Sequence, residues 1–152
     1  FVGSKEKTLI DLMRYKGYER AMKEHHLLVD ENMYFESFAT FDEGVRIADE
    51  IMKRNNVTAV VCTGDITAIG IMRKYGEEKK NVPEDLSIVG FDDIQVAQYV
   101  YPGITTVRQD IRLKGELAAK AIIEDLKKKK SMNTTITLEP SLVIRESVKK
   151  VN

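Results

Sequence analysis

The chain has 152 residues, of which 43% are hydrophobic and 32% are charged, a composition typical of one globular domain with a hydrophobic core. The 24 basic and 24 acidic residues give a formal net charge of zero, which excludes the bulk positive charge of a nucleic-acid-binding surface. The single cysteine, Cys62, excludes an intramolecular disulfide framework and a cysteine-based zinc site. Because Cys62 lies in the apolar run TAVVCTG, we expect a buried, unreactive thiol.

Helices and short apolar runs alternate in the first half of the chain. Apolar residues at helical spacing predict a first helix over residues 5–25. After an aromatic-rich stretch, Thr40 stands three residues before Glu43, and this capping box opens a second helix that we expect to end near Asn55. The side chains that this helix is expected to bury are Val45, Ala48, Ile51 and Met52.

Two buried strands are predicted in the middle of the chain. The run VTAVVC, residues 57–62, is rich in β-branched residues and does not alternate, which is typical of a strand covered on both faces. The triplet TGD then leads into a third helix over residues 66–79. The run LSIVGF, residues 86–91, predicts the next strand, and the acidic pair Asp92 and Asp93 follows it directly.

The last third of the chain contains a brief strand, ITTV, a helix over residues 110–128, and TTITLEP with SLVIRES as a strand pair or one broken strand. Such alternation predicts an α/β fold: an open, mostly parallel sheet with helices on both faces. Ligands of these sheets bind beyond the carboxyl ends of the strands. Both TGD and the Asp92–Asp93 pair are predicted to lie there.

No motif for catalysis or for a cofactor is present. His25 and His26 are adjacent but have no acidic or cysteine partner at metal-ligand spacing. The chain has neither a phosphate-binding loop nor a nucleophile elbow. We therefore expect no enzyme activity, no cofactor and no metal.

A small polar ligand such as a sugar is favoured instead. Carboxylates accept hydrogen bonds from hydroxyl groups, a guanidinium donates them, and an aromatic ring covers the apolar face of a sugar. Asp92, Asp65 and Arg14 supply such polar groups, and the candidate aromatic residues are Phe35, Phe38 and Phe41. Plainer interpretations stay open here: Asp65 as a cap of the third helix, Arg14 as a solvated helix residue, and the aromatic residues as core.

Four segments in this order resemble the effector-binding region of LacI/GalR-family transcriptional repressors. They are VPEDLSIVGFDD, TTVRQD, LKGELAAKAIIEDL and EPSLVIRES. DLMRYKGYERAMKEH and TAVVCTGDITAIGIM are also similar to family segments, so the resemblance extends over nearly the whole chain. It implies a periplasmic-binding-protein-like lobe, a Rossmann- or flavodoxin-like arrangement.

The resemblance also implies a set of effector contacts. The family's arginine, three residues before a helix glycine, corresponds to Arg14, and its aspartate after the glycine–aromatic pair corresponds to Asp92. The family's aromatic position falls on Ala39, so Phe38 or Phe41 would have to replace it. The expected effector contacts are Thr8, Arg14, Phe38, Gly64, Asp65 and Asp92.

The resemblance divides the chain into three parts. Residues 1–109 would be the C-terminal lobe of the effector-binding domain, the helix at 110–130 would belong to an N-terminal lobe that this chain lacks, and residues 131–152 would return to the C-terminal lobe. A DNA-binding domain would belong to a longer parent protein. The apolar stripe expected to lack its normal host consists of Ile111, Leu117, Ala118, Ile122 and Leu126.

The segment IQVAQYVYP carries more apolar side chains than one buried helical stripe needs, which indicates an interface. The alternative is that its aromatic residues cover the sheet edge within one chain. We expect a two-fold dimer with contacts at Ile69, Met72, Val96, Val100 and Tyr101.

The other expected partners are a small effector, a sugar or sugar derivative, and operator DNA through the parent's other domain. We expect a cytoplasmic location and no membrane contact. The alternative function is a periplasmic sugar-binding receptor of an ABC transporter.

Overall fold

Six strands and four α-helices alternate in the computed structural model, which describes residues 1–6, 8–54, 56–128 and 135–150. The strands are β1 Val2–Ser4, β2 Phe35–Ser37, β3 Ala59–Val61, β4 Ser87–Asp92, β5 Thr105–Arg108 and β6 Ser141–Val143. The helices are α1 Leu9–Glu24, α2 Phe41–Met52, α3 Asp65–Glu77 and α4 Ile111–Lys128. Short 3₁₀ segments lie at Glu31–Met33 and Gln95–Gln98.

Most predicted elements are confirmed, although their ends are shifted by a few residues. Strands β1 and β2 were not predicted, because three residues are too few to show an alternating pattern. The segment TTITLEP forms no strand over its described residues, 135–140, so the chain returns through the single strand β6. The predicted end of α2 at Asn55 lies outside the described residues.

The sheet is open and mostly parallel, as predicted. Strands β1 and β2 pair in parallel, as do β3, β4 and β5, whereas β6 runs antiparallel to β5. A parallel bridge between Val2 and Cys62 joins β1 to the end of β3. The strand order across this bridge is β2-β1-β3-β4-β5-β6, and the order reverses between β1 and β3.

Helices α2 and α3 pack backbone to backbone. A Cβ atom at Gly44 would lie 2.2 Å from the Thr67 carbonyl oxygen, and one at Gly70 would lie 2.2 Å from the Phe41 carbonyl oxygen. Glycine is therefore required where the helices touch.

The predicted cap of α2 is also present, since the Thr40 hydroxyl accepts a hydrogen bond from the Glu43 amide at 3.2 Å.

The buried face of α2 differs in part from the prediction. Ala48 and Ile51 are buried as expected, but Val45 and Met52 are only half-buried. The face that contacts α3 starts at Gly44 and continues at helical spacing through Ile47, Ala48 and Ile51. The close glycine contact thus decides which stripe points inward.

Cys62 is fully buried, as predicted. Burial raises the pKa of its thiol to about 12. The thiol therefore stays protonated at neutral pH, where it is a poor nucleophile.

Helices α1 and α4 are much less covered than α2 and α3. Helix α1 has no buried residue, and none of residues 111–127 of α4 is buried. Helix α1 is attached through ring contacts of Tyr15 and Tyr18 with Phe1. Within the described part of the chain, no helix is long and apolar enough to cross a membrane.

Candidate functional site

A cleft of about 370 Å³ opens at the carboxyl ends of β1 to β4. This is where the strand order reverses, the position at which open α/β sheets bind ligands. The structure brings all six predicted effector contacts to this cleft. The predicted residues that line it are Thr8, Arg14, Phe38, Gly64, Asp65 and Asp92.

Arg14 and Asp92 face each other across the cleft. The Arg14 Nη2 atom lies 3.5 Å from Asp92 Oδ1, and Arg14 Nη1 donates a hydrogen bond to the Thr63 carbonyl oxygen at 2.5 Å. The guanidinium also stacks over the Phe91 ring, 3.8 Å from its centroid. These contacts with the end of β4 and with Thr63 after β3 fix the guanidinium in one place.

Asp92 and Asp93 have different partners although they are adjacent. Both adopt positive φ angles, 101° and 52°, which direct the two carboxylates apart. Asp92 faces the cleft and accepts a hydrogen bond from Gln109 Nε2 at 2.7 Å. Asp93 accepts from Arg108 at 2.5 Å and from Arg145 at 2.7 Å.

The environment of Asp93 favours its ionised form. Burial alone raises the pKa of this carboxyl, but the hydrogen bonds from Arg145 and Arg108 outweigh it, so the pKa lies below its ordinary value. Asp93 thereby joins the end of β5 to the segment after β6. Of the acidic pair, the Asp92 carboxylate therefore lies in the cleft, whereas the Asp93 carboxylate forms ion pairs that stabilise the fold.

Asp65 does not cap the third helix, which was one of the two interpretations of the sequence. Its side chain makes no capping bond, because the N-cap of α3 is Gly64. Only 1% of the residue is exposed, and its two oxygens accept from the Ile94 amide at 2.8 Å and from the Thr106 hydroxyl at 2.6 Å. Burial, the largest influence, raises the pKa of this carboxyl despite these hydrogen bonds.

The other cleft residues are arranged around this centre. Phe38 is exposed, whereas Phe35 is part of the core, and Phe41 does not line the cleft. Thr8 caps α1 by accepting from the Asp11 amide at 3.3 Å. A Cβ atom at Gly64 would meet nothing within 4 Å, so the cleft is open above this residue.

Some residues near the cleft were missed by the sequence reasoning. Glu6 and Asp11 line it but follow a strand that was too short to be recognised. Gln109, which binds Asp92, directly follows β5. The strand-end rule, applied to every strand, would have identified it.

The predicted interface residues do not form one exposed set. Ile69 is only 8% exposed and belongs to the hydrophobic core, so its assignment to a surface contact is corrected. It points inward because α3 packs against both α2 and the sheet. Met72 and Val100 pack partly against the core, while Val96 and Tyr101 are exposed.

The chain matches the periplasmic binding protein-like domain family over residues 1–148, and it belongs to this family. The HTH-type transcriptional repressor PurR of Vibrio atlanticus (strain LGP32) is 36% identical over 140 residues. This match covers 91% of the chain and 42% of the repressor. The chain therefore spans less than half the length of this curated relative.

Solved structures agree with this assignment. The transcriptional regulator CelR–cellobiose complex superposes with a TM-score of 0.85 at 27% identity, over 96% of this chain and 46% of that chain. A LacI-family regulatory protein from Chloroflexus aggregans superposes with a TM-score of 0.86 at 27% identity, over 97% and 54%. The resemblance to LacI-family regulators and the expected fold are confirmed.

Proposed function

We propose that the chain is the effector-sensing lobe of a LacI-family transcriptional regulator and that its cleft binds a sugar or a similar small polar molecule. The observation that carries this proposal is the Arg14–Asp92 pair, fixed at the strand ends but still partly exposed. A guanidinium that donates beside a carboxylate that accepts matches the hydroxyl groups of a sugar. The exposed ring of Phe38 would cover the apolar face of the ligand.

The relatives favour a regulator over a periplasmic transport receptor. PurR is a transcriptional repressor, and CelR is a transcriptional regulator whose complex contains cellobiose. We propose that a longer parent protein contacts operator DNA through another domain, and that it works in the cytoplasm, where operator DNA is found. We assign no catalytic role to the chain.

The division into lobes remains part of the proposal. Residues 1–109 and the returning part of 131–152 would form one lobe, and the helix at 110–130 would belong to a second lobe. The uncovered surface of α4 supports this division, as does the placement of Asp93 between the outgoing Arg108 and the returning Arg145. Closure of two lobes on an effector would then shift the regulator between two states.

A titration tests the effector site. Because one lobe offers only part of a clamped site, we expect weak binding by this chain, and NMR shift titration with cellobiose, D-glucose and D-ribose suits such affinities. Arg14→Ala should weaken binding about 30-fold, since a hydrogen bond to a charged group contributes about 2 kcal/mol. Arg20→Ala is the matched control, because Arg20 lies on the same helix but pairs with exposed Glu24, and neither residue lines the cleft.

The parent protein provides the second part of this test. Arg14→Ala and Asp92→Ala should abolish the effector's influence on operator binding, measured by fluorescence anisotropy, while operator binding itself persists. Normal effector response in both variants would refute the assignment.

We also propose a two-fold dimer through the exposed part of the predicted interface. Exposed Val96 lies in the 3₁₀ segment, which contacts α3, the helix of half-buried Met72, and exposed Tyr101 directly follows half-buried Val100. Tyr101→Asp should give a folded monomer, because a charge at a two-fold axis meets its own copy. Leu28→Asp is the control, since both residues are 91% exposed. A wild-type chain that sediments as a monomer at high concentration would contradict the interface.

A further inference from the structure

We infer that Asp65 is a positioning residue, which works with Thr106 to hold the turn at residues 92–94 so that Asp92 faces the cleft. It would make no contact with the effector itself. This inference rests on the proposed function, because it concerns the carboxylate that the proposal assigns to the effector.

The hydrogen bonds of Asp65 all lead to the backbone that follows Asp92. Its Oδ2 atom accepts directly from the Ile94 amide at 2.8 Å. Its Oδ1 atom accepts from the Thr106 hydroxyl at 2.6 Å, and that hydroxyl accepts from the Asp93 amide at 3.4 Å. One buried carboxylate thus restrains two consecutive amides, one directly and one through a hydroxyl.

The turn requires such restraint because of its backbone conformation. Asp92 and Asp93 both have positive φ angles, a conformation that few L-residues adopt and that neighbouring contacts have to stabilise. The arginines bound to the Asp93 carboxylate hold the turn from the opposite side. Without the anchor from α3, the turn could relax and carry the Asp92 carboxylate away from Arg14.

The chemistry of the anchor explains why a carboxylate stands at position 65. Both of its partners, the Ile94 N–H and the Thr106 O–H, are donors. An ionised carboxylate offers acceptors only, whereas an asparagine would turn an NH₂ group toward one of these donors. The first turn of α3 also favours a negative charge at this end of the helix.

Gly90 fits the same arrangement. A Cβ atom at this position would lie 2.0 Å from Asp65 Oδ1. Strand β4 can therefore pass beside the buried carboxylate only with glycine there. The inference thus accounts for a glycine in a central strand two residues before the cleft carboxylate.

The test uses a pair of variants at Thr106, which is fully buried. Thr106→Val keeps the shape of the side chain and removes the hydroxyl, whereas Thr106→Ser keeps the hydroxyl. Amide hydrogen exchange of the complete 152-residue chain, followed by NMR, should accelerate about tenfold at Asp93 and Ile94 in Thr106→Val. The Ile88 amide, which donates to the Ser147 carbonyl oxygen, is the internal control and should not change. Thr106→Ser should behave like the wild type.

Two outcomes would overturn the inference. In one, Thr106→Val leaves exchange at Asp93 and Ile94 unchanged. In the other, it accelerates Ile88 by the same factor, which would indicate a general loss of stability rather than release of the turn.

A titration with cellobiose, D-glucose and D-ribose separates this inference from the function on which it rests. Thr106→Val should weaken whichever of these sugars shifts the Arg14 and Asp92 signals, by about tenfold, while Thr106→Ser retains the wild-type affinity. Equal affinity in both variants would overturn the positioning role. If no sugar shifts the wild-type signals, the proposed function loses support, and the exchange measurements alone decide the role of Asp65.

Discussion

Helices α3 and α4 have similar patterns of apolar residues but different surroundings. Helix α3 lies between α2 and the sheet, and it buries much of its length. None of residues 111–127 of α4 is buried, and Ile122 in its apolar stripe is 62% exposed. The buried residues of α3 are Asp65, Thr67, Ala68, Ile69, Gly70, Ile71 and Tyr75. An amphipathic pattern therefore indicates which face of a helix needs a partner, but not whether this chain supplies one.

The position of α4 in the fold sharpens this contrast. The helix is inserted between β5 and β6, which pair with each other directly. The returning segment completes the sheet on its own, since the buried Ser147 hydroxyl donates to the Ile88 carbonyl oxygen and accepts from the Thr105 amide. The sheet therefore does not depend on α4. If α4 belongs to a second lobe, as proposed, the sheet has to be complete without it.

The largest expected difference between the two helices is in hydrogen exchange. Amides of α3 should exchange only through global unfolding, whereas those of α4 should open locally, because an isolated helix of this length is only marginally stable. For a domain of ordinary stability, the protection factors should differ by at least about a thousandfold. Exchange measured by NMR on a dilute, monomeric sample checks this.

Protection of α4 equal to that of α3 in such a monomer would refute the comparison. Protection that appears only at high concentration would indicate that a second chain covers the apolar stripe. Sedimentation of the same samples distinguishes the two cases.

Truncation of an isoleucine in each helix should give the next largest effect. Ile71→Ala in α3 removes a fully buried side chain and should lower the free energy of unfolding by about 3 kcal/mol. Ile122→Ala in α4 should change it by less than about 0.5 kcal/mol, the usual range for exposed positions. Urea denaturation of both variants measures the difference. A comparable loss in Ile122→Ala would mean that its side chain is covered in solution.

Much of this architecture could be predicted from the sequence. The capping box of Thr40, the buried strand before Asp92 and the helix at 110–128 all rest on local patterns that the fold retains. Strands β1 and β2 could not be predicted, because their pairing depends on partners distant in the chain. Ile69 was misplaced for a related reason: helical spacing alone cannot tell which of two apolar faces meets the core.

Prediction from the sequence is limited in the same way for the single side chains of the cleft. Its location followed from the strand-end rule, and the six expected residues do lie together there. The different roles of Asp65, Asp92 and Asp93 could not be predicted, because they depend on positive φ angles and on donors such as Thr106 and Arg145. Three aspartates with similar sequence contexts have three different sets of partners.

The smallest effects are expected when one methyl group is added to each helix. In α3, Gly70→Ala would gain about 1 kcal/mol of helix propensity. The new Cβ would lie 2.2 Å from the Phe41 carbonyl oxygen, and because that neighbour is backbone, α2 would have to move. We expect a net loss of about 2 kcal/mol.

Gly115→Ala in α4 is the matched substitution, because a Cβ atom there would meet nothing within 4 Å. Because the substitution changes only the helix propensity at this position, the free energy of unfolding should stay unchanged or rise by up to about 1 kcal/mol. Denaturation curves and far-UV circular dichroism of both variants provide the comparison. A loss of stability in Gly115→Ala would mean that another surface packs against α4 at this glycine, and the contrast between the two helices would then be wrong.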